Sequence, residues 1–342
     1  MKNLENNKIE VNGLENERRN KLQNIQKENM ESYAFETNTD CNISKFRENE
    51  NVKVAGRVVF FRDLGKLVFG KLRDFNGTVQ FSMNESILNN FQKIKKLIDL
   101  GDIIGISGNL YKTQSGEITI QVDYFKILRK AFLPLPDKYK GMENEELKLR
   151  LRYLDLVTDD KTKDLFKIRF KVINSIKNFL ISRDFIEVET PILQPIASGA
   201  AANPFKTHHD ALDIELFLRI APELYLKRLL VGGFNKVFEI GKCFRNEGID
   251  RTHLQEFTML EFYQAYISYE ELMDLAINLL QFAVRSISEN LKINDIDFNN
   301  IPKISYVDFL KNYGNIEFHR LEEKDYIENY AKENDISLKH CT

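Results

Sequence analysis

Between residues 50 and 130 apolar and polar positions alternate in short runs. Val52 to Phe60, Leu67 to Leu72, Thr78 to Phe81, Ile103 to Ser107 and Ile118 to Val122 have the character of strands, whose alternate side chains point to opposite faces. Turn signals separate them at Asp63-Leu-Gly65, Asn76-Gly77, Gly108 and Ser115-Gly116. Between the third and fourth runs the period changes. Phe91, Ile94, Leu97 and Ile98 predict a helix within Asn89 to Leu100. Five strands with a helix at that place predict a partly open β-barrel of the OB-fold plan, whose face suits oligonucleotides. A small barrel used only for contact fits the same pattern.

From Leu151 onward helical and strand patterns take turns. Leu165 to Ser182 carries Phe166, Ile168, Phe170, Val172, Ile173, Ile176, Phe179 and Leu180, which predicts a mostly buried helix. Phe185 to Pro191 predicts a strand, and its closing proline belongs at an edge or interface because it cannot donate to a ladder. Pro222 and Gly232-Gly233 bracket a helix from Glu223 to Val231. Lys236 to Arg245 and Glu256 to Tyr263 predict two strands joined by a polar loop, Gly248 to Gln255, with Arg251 and His253 on it.

The alternation in this last hairpin sorts its side chains. Arg245 and Glu247 share one face, and so do Phe257, Met259, Glu261 and Tyr263. A guanidinium fork suits a phosphate or carboxylate. A flat ring such as Phe257 suits a purine. A carboxylate or main-chain carbonyl at Glu247 can accept from an exocyclic amine, while Glu261 and Tyr263 can receive a ligand cation. Taken singly, each residue also fits an ordinary amphipathic hairpin, with Arg245 paired to Glu247 or Glu239. The whole string favours a nucleotide beside a small zwitterion.

Phe244-Arg-Asn-Glu247, the short loop with His253, and Glu256-Phe-Thr258 resemble motif 2 of the class II aminoacyl-tRNA synthetases, and among them the lysyl-tRNA synthetases. The resemblance also takes in Ile220-Ala-Pro-Glu-Leu-Tyr-Leu-Lys-Arg228, Val231-Gly-Gly-Phe234, Gly199-Ala-Ala-Ala202, Thr207-His-His209, Glu187-Val-Glu-Thr-Pro191, Leu133-Pro-Leu-Pro-Asp-Lys138 and Arg152-Tyr-Leu-Asp-Leu156. These segments stand in family order over roughly residues 50 to 280, which makes the match specific.

The resemblance implies an α+β chain. A polar helical or disordered extension, 1–49, precedes an anticodon-binding OB-fold barrel, 50–130. A linker, 131–150, leads to part of a class II antiparallel-sheet catalytic domain with flanking helices, 151–342. It implies ATP-dependent activation of L-lysine to lysyl-adenylate and transfer to tRNA(Lys), with Mg2+ on the phosphates. By resemblance Arg245 is the catalytic cation. Arg245, Glu247, His253 and Phe257 bind ATP, and Gly199, Glu223, Arg245, Glu261 and Tyr263 bind lysine. Arg62, Phe69 and Gln80 match anticodon contacts, and Pro191 lies at a homodimer seam. The N-terminal helix matches one that assists tRNA binding in such enzymes.

Departures accompany the matches. His253-Leu-Gln-Glu-Phe-Thr258 replaces His-Asn-Pro-Glu-Phe-Thr, and Asn203 stands where the family usually has arginine. After Gly248 the only glycine is Gly314, so no Gly-rich motif 3 is expected, nor the acidic metal-binding segment or a second pocket glutamate. The first reading is therefore a lysyl-tRNA synthetase whose sequence is incomplete on the C-terminal side, and a truncated, non-catalytic tRNA-binding module is the second. A synthetase for aspartate or asparagine is the third, disfavoured by Glu261 and Tyr263.

Composition narrows little further. The chain has 342 residues, 43% hydrophobic and 29% charged, with a net charge of −2, so nucleic-acid contact must come from local patches. Cys41, Cys243 and Cys341 lack metal-ligand spacing and are odd in number, which fits free thiols in a reducing, cytoplasmic setting. No apolar run is long enough for a membrane span. His208-His209 reads as polar loop without the ligands a zinc site needs, and His319 and His340 as surface. No protein metal ligands are expected in these residues.

Overall fold

The computed structural model describes residues 2–27, 50–136, 144–250 and 252–337, with side chains from residue 13 onward. The chain divides into two compact units, Met1–Lys163 and Asp164–Thr342.

In the first unit β1 (Asn51–Asp63), β2 (Leu67–Arg73), β3 (Thr78–Asn84), β4 (Ile103–Lys112) and β5 (Ile118–Arg129) close a barrel in the order β1-β2-β3-β5-β4. The ring is closed where the pattern predicts a partly open one. A parallel pairing of only Gln80 to Ser82 with Thr119 to Gln121 joins β3 to β5 and seals it. The period of two puts Val54, Val68, Leu72, Phe81, Met83, Ile104, Ile106, Leu110, Ile120 and Val122 inside. Helix α2 (Phe91–Leu97) adds Phe91, Ile94 and Leu97 to the same core. Gly70 on β2 faces the Phe81 ring so closely that a Cβ there would lie 2.2 Å from its Cζ.

Within the expected polar extension, residues 2–27 form the helix α1 (Lys2–Lys27). Ile25 is fully buried in the barrel core. Arg18 is buried and its Nη1 donates to the carbonyls of Ala131 and Leu133 at 3.1 and 3.0 Å. Lys21 pairs with Asp99 at 2.8 Å. Beneath them the buried Lys130 Nζ contacts Asp102 at 2.6 Å, the Leu97 carbonyl at 2.6 Å, and Asp99. Burial works against the Asp99 carboxylate, but Lys130 and Lys21 outweigh it and hold it below its usual range. Thr37-Asn-Thr-Asp40, Cys41, His340 and Cys341 lie outside the described residues, as does part of the predicted linker. Helices α3 (Glu145–Arg150) and α4 (Arg152–Thr158) belong to the first unit, where Arg73 donates to the Val157 carbonyl at 3.1 Å and pairs with Asp160 at 3.0 Å.

The second unit is organised around a three-stranded sheet. Strand β10 (Lys236–Phe244) pairs antiparallel with β11 (Glu256–Gln264) and parallel with the short β6 (Ile186–Glu187). A second sheet orders β7 (Leu193–Gln194), β9 (Ile214–Leu218) and β8 (Lys206–His209). One face of the first sheet presents Phe238, Ile240, Leu260 and Phe262 to a core that includes Phe179 and Leu180 of α5 (Asp160–Ile181) and Leu279 of α7 (Tyr269–Arg285). The helix α6 (Glu223–Val231) starts after Pro222 and ends at Gly232, as its punctuation predicts. Beyond α7 come the hairpin β12 (Lys292–Ile293) and β13 (Ile296–Asp297), then α8 (Tyr306–Gly314) and α9 (Lys324–Glu333).

Two expectations are corrected here. Helix α5 is not mostly buried: only Ser175, Phe179 and Leu180 are, while Leu165, Ile168 and Phe170 are exposed. Its apolar residues surround the helix, and one stripe is enough to meet the sheet. The pair His208-His209 is not loop but the end of β8, with His208 opposite Glu215 and His209 opposite Ile214.

Helix α7 opens with a capping box. Ser268 Oγ accepts from the Glu271 N–H at 3.2 Å, and Glu271 accepts from the Ser268 N–H at 3.0 Å. Ser268→Ala is expected to cost about 1 kcal/mol, read as an earlier urea midpoint by circular dichroism.

Candidate active site

The β10–β11 hairpin has two unlike faces. Pairing sets Glu239 opposite Glu261, Gly241 opposite Met259, Cys243 opposite Phe257 and Val237 opposite Tyr263. Directly opposed residues share a face, so the carboxylates, the ring of Phe257 and the phenol of Tyr263 lie away from the helices that cover the other side. Arg245 follows β10 in the same phase.

At the loop end a cleft of about 270 Å³ is lined by Arg245, Glu247, Gly248, Thr252, His253, Leu254 and Phe257. The Arg245 guanidinium lies over the Phe257 ring, 5.1 Å from its centroid. Arg245 is anchored through its N–H to the Gln255 carbonyl at 2.9 Å, while its buried Nε has no hydrogen-bond partner. A buried donor without a partner costs about 1–3 kcal/mol, and an anion in the cleft is a natural acceptor for the fork. Glu247 is exposed, and one of its oxygens accepts from the Asn203 N–H at 3.3 Å. The Asn246 N–H donates to the Asn203 carbonyl at 2.8 Å. Asn203 therefore ties this segment through its main chain, which any residue type supplies.

The loop is ordered by Asp250. Its carboxylate accepts from the Thr252 and His253 N–H groups at 2.6 and 2.8 Å and lies 2.7 Å from His253 Nδ1. The Thr252 N–H, then the side chains of His253 and Thr252, hold the Asp250 carboxyl far below its usual range. His253 is exposed at the mouth of the cleft. Arg251 lies outside the described residues.

Further along the same face lies an acidic end. Tyr263 Oη donates to Glu261 Oε2 at 3.1 Å. Burial pushes the Glu261 carboxyl up against the opposing effect of the Tyr263 hydrogen bond, and Glu223 and Glu239 push the same way as burial. Burial and Glu261 likewise raise the Tyr263 phenol. Glu223, the first residue of α6, is engaged by Lys227. Gly199 has φ +90°, and a Cβ there would lie 3.0 Å from those of Ala221 and Glu223, so only glycine lets its loop approach α6 so closely.

Sequence reasoning missed the layer beneath. Arg219 is fully buried and donates to the Lys242 carbonyl at 2.8 Å, to the Thr190 carbonyl and Oγ1 at 3.2 and 3.1 Å, and to Glu239 Oε1 at 2.5 Å. Thr190 Oγ1 donates to Glu239 Oε2 at 2.6 Å. Glu239 is thus taken by Arg219, not by Arg245. The available signal was an arginine inside the apolar run Leu216-Phe-Leu-Arg-Ile-Ala221.

On the barrel, Arg62 is opposite Phe69, and Phe69 is opposite Ser82 in the next strand. Gln80 lies two residues before Ser82 on that face, and its Nε2 donates to Thr119 Oγ1 at 2.9 Å. Arg62 is exposed, and Phe69 and Gln80 are half-buried. Pro191 is exposed, and its carbonyl accepts from Gln194 Nε2 at 3.0 Å. Among the described residues no group of three or more His, Cys, Asp or Glu could hold a metal ion, and no helix is long and apolar enough to cross a membrane.

Residues 144–337 match the family described as tRNA synthetases class II (D, K and N), and residues 52–128 match the OB-fold nucleic acid binding domain. The chain is 43% identical over 293 residues to a lysine–tRNA ligase of Magnetococcus marinus, an alignment covering 83% of this chain and 58% of the relative. It is 42% identical to the lysine–tRNA ligase of Clostridium novyi, over 96% of this chain and 67% of that one. With that of Clostridium tetani it shares 41% identity over 99% of this chain and 70% of the relative. The chain thus spans less than two thirds of the length of the Magnetococcus relative.

Proposed function

Because the chain belongs to the class II tRNA synthetases of the aspartate, lysine and asparagine group, we propose that it activates L-lysine with ATP and attaches it to tRNA(Lys). The observation that carries this reading is one sheet face on which a cation stacked on a ring stands beside a half-buried carboxylate bonded to a phenol. The first pair suits a nucleotide and its phosphate. The second suits an ammonium, which needs a carboxylate and further acceptors when it leaves water.

The lysine carboxylate attacks the α-phosphate of ATP and pyrophosphate leaves. The terminal ribose hydroxyl of tRNA then attacks the mixed anhydride and AMP leaves. Neither step needs a protein nucleophile, so positioning and charge stabilisation do the catalytic work. Arg245 neutralises the meeting carboxylate and α-phosphate. Phe257 stacks the adenine, Glu247 accepts from its amino group, and His253 approaches the outer phosphates. Gly199 and Glu223 surround the α-amino group, while Glu261 and Tyr263 take the side-chain ammonium. Mg2+ accompanies the ATP phosphates; the described residues offer no dedicated cage for it. A cytoplasmic homodimer with a seam near Pro191 completes the reading, supported by the exposed Ile192 next to it and by the exposed Leu165, Ile168 and Phe170 on α5.

Pyrophosphate exchange driven separately by lysine, aspartate and asparagine tests the proposal. Exchange with lysine alone is expected. Exchange with aspartate or asparagine instead would reassign the pocket, and none at all together with tight tRNA binding would leave a binding module.

On the barrel, Arg62, Phe69 and Gln80 are proposed to read the anticodon. Phe69→Ala is expected to weaken tRNA(Lys) binding by the loss of one base stack, about 1–3 kcal/mol, without changing lysine-dependent exchange. Filter binding against transcripts with scrambled anticodons checks it; equal affinity for all of them rules the assignment out.

A further inference from the structure

Glu239 and Glu261 are direct cross-strand partners on one face of the hairpin. Opposed carboxylates at that spacing repel each other. Only one of the two has a buried cation on it. The Arg219 guanidinium reaches Glu239 at 2.5 Å through the space that Gly241 leaves open; a Cβ at that glycine would lie 2.1 Å from Arg219 Nη2. Arg219 comes from the segment just after β9 and is fixed by two main-chain carbonyls, those of Lys242 and Thr190.

We infer that Arg219 is a positioning residue of the cation pocket: it neutralises Glu239, so that of the two opposed carboxylates only Glu261 presents its negative charge to the ligand. Glu239 in turn keeps the guanidinium from discharging Glu261. The inference rests on the proposed reading of Glu261 as the acceptor of a substrate ammonium, and it assigns to residues outside the pocket the control of its charge.

The groups around Glu261 are few. Tyr263 donates to it from its own strand, Glu223 faces it from α6, and Glu239 and Arg219 face it from β10 and the segment before α6. Glu239 and Arg219 act on Glu261 in opposite directions, so removing them must move its titration in opposite directions. With Glu239→Gln the shape and the acceptor oxygen for Arg219 remain, the cation is no longer balanced, and Glu261 becomes more acidic. With Arg219→Gln, Glu239 stands uncompensated opposite Glu261, which becomes less acidic.

The test follows the Glu261 carboxyl carbon by NMR in the 342-residue chain labelled at glutamate, with Glu261→Gln giving the assignment. The pH midpoint is expected to fall in Glu239→Gln and to rise in Arg219→Gln. A merely structural role for the pair would move neither midpoint in a folded variant, or both the same way, and either outcome overturns the inference. Should Arg219→Gln fail to fold, Glu239→Gln carries the test alone, and an unmoved midpoint is fatal. Lysine titrated into the unmodified chain provides the separate check. A Glu261 signal that lysine leaves in place refutes the pocket reading, whereas the two midpoint shifts do not depend on any ligand.

Discussion

Arg245→Ala is expected to reduce lysine-dependent pyrophosphate exchange by a hundred- to a thousandfold or more, the usual consequence of removing a preorganised group from developing charge. The fold should survive. The side chain's buried Nε has no partner in the protein, so its removal leaves no acceptor stranded. What is lost from the unliganded protein is the stacking on Phe257, about 0.5–2 kcal/mol. Arg245→Lys keeps the charge but not the planar fork and should recover only part of the rate. Binding of tRNA by the barrel should be unaffected in both variants. Exchange within a few-fold of the unmodified protein, in a folded Arg245→Ala variant, would remove Arg245 from the chemistry.

Phe81→Ala carries the largest expected loss of stability. The ring is fully buried in the barrel core, and emptying such a site costs about 3–5 kcal/mol. Its neighbour makes the prediction sharper. Gly70→Ala in the intact barrel drives a methyl to 2.2 Å from the Phe81 ring and is expected to cost about 1–3 kcal/mol by overpacking. In the Phe81→Ala background that methyl enters the vacated space, so the second substitution should cost much less than the first background implies. Urea unfolding of the four proteins, followed by circular dichroism, gives the coupling directly. Strict additivity would mean that the ring and the glycine are not in contact.

The barrel and the hairpin were legible because one strong pattern governs each. Period-two alternation told inside from outside on β1 to β5, and the same alternation placed Arg245 with Phe257 and grouped Glu261 with Tyr263. Helix α6 was readable to the residue because Pro222 and Gly232 mark its ends by backbone chemistry alone. The failures share a cause: each depends on partners distant in the chain. Arg219 lies 20 residues from Glu239, and nothing local reveals that its charge is satisfied by a strand yet to come. Helix α5 carries more apolar residues than its own unit buries, and density in sequence does not say which stripe meets the sheet. His208 and His209 were read by their polarity, but main-chain pairing with β9 decided their conformation.

The docking of α1 bears on where this protein can be cut. A boundary placed at residue 50, just before the first barrel strand, looks natural from the polar sequence ahead of it. Such a fragment would lack an isoleucine buried in the barrel core and the arginine that donates to the carbonyls of Ala131 and Leu133. It would also leave Asp99 without one of its two cations. The excised piece would be a barrel with a hole in its core and unpaired groups at its exit, so weak RNA affinity in it would report on the surgery rather than on the recognition surface.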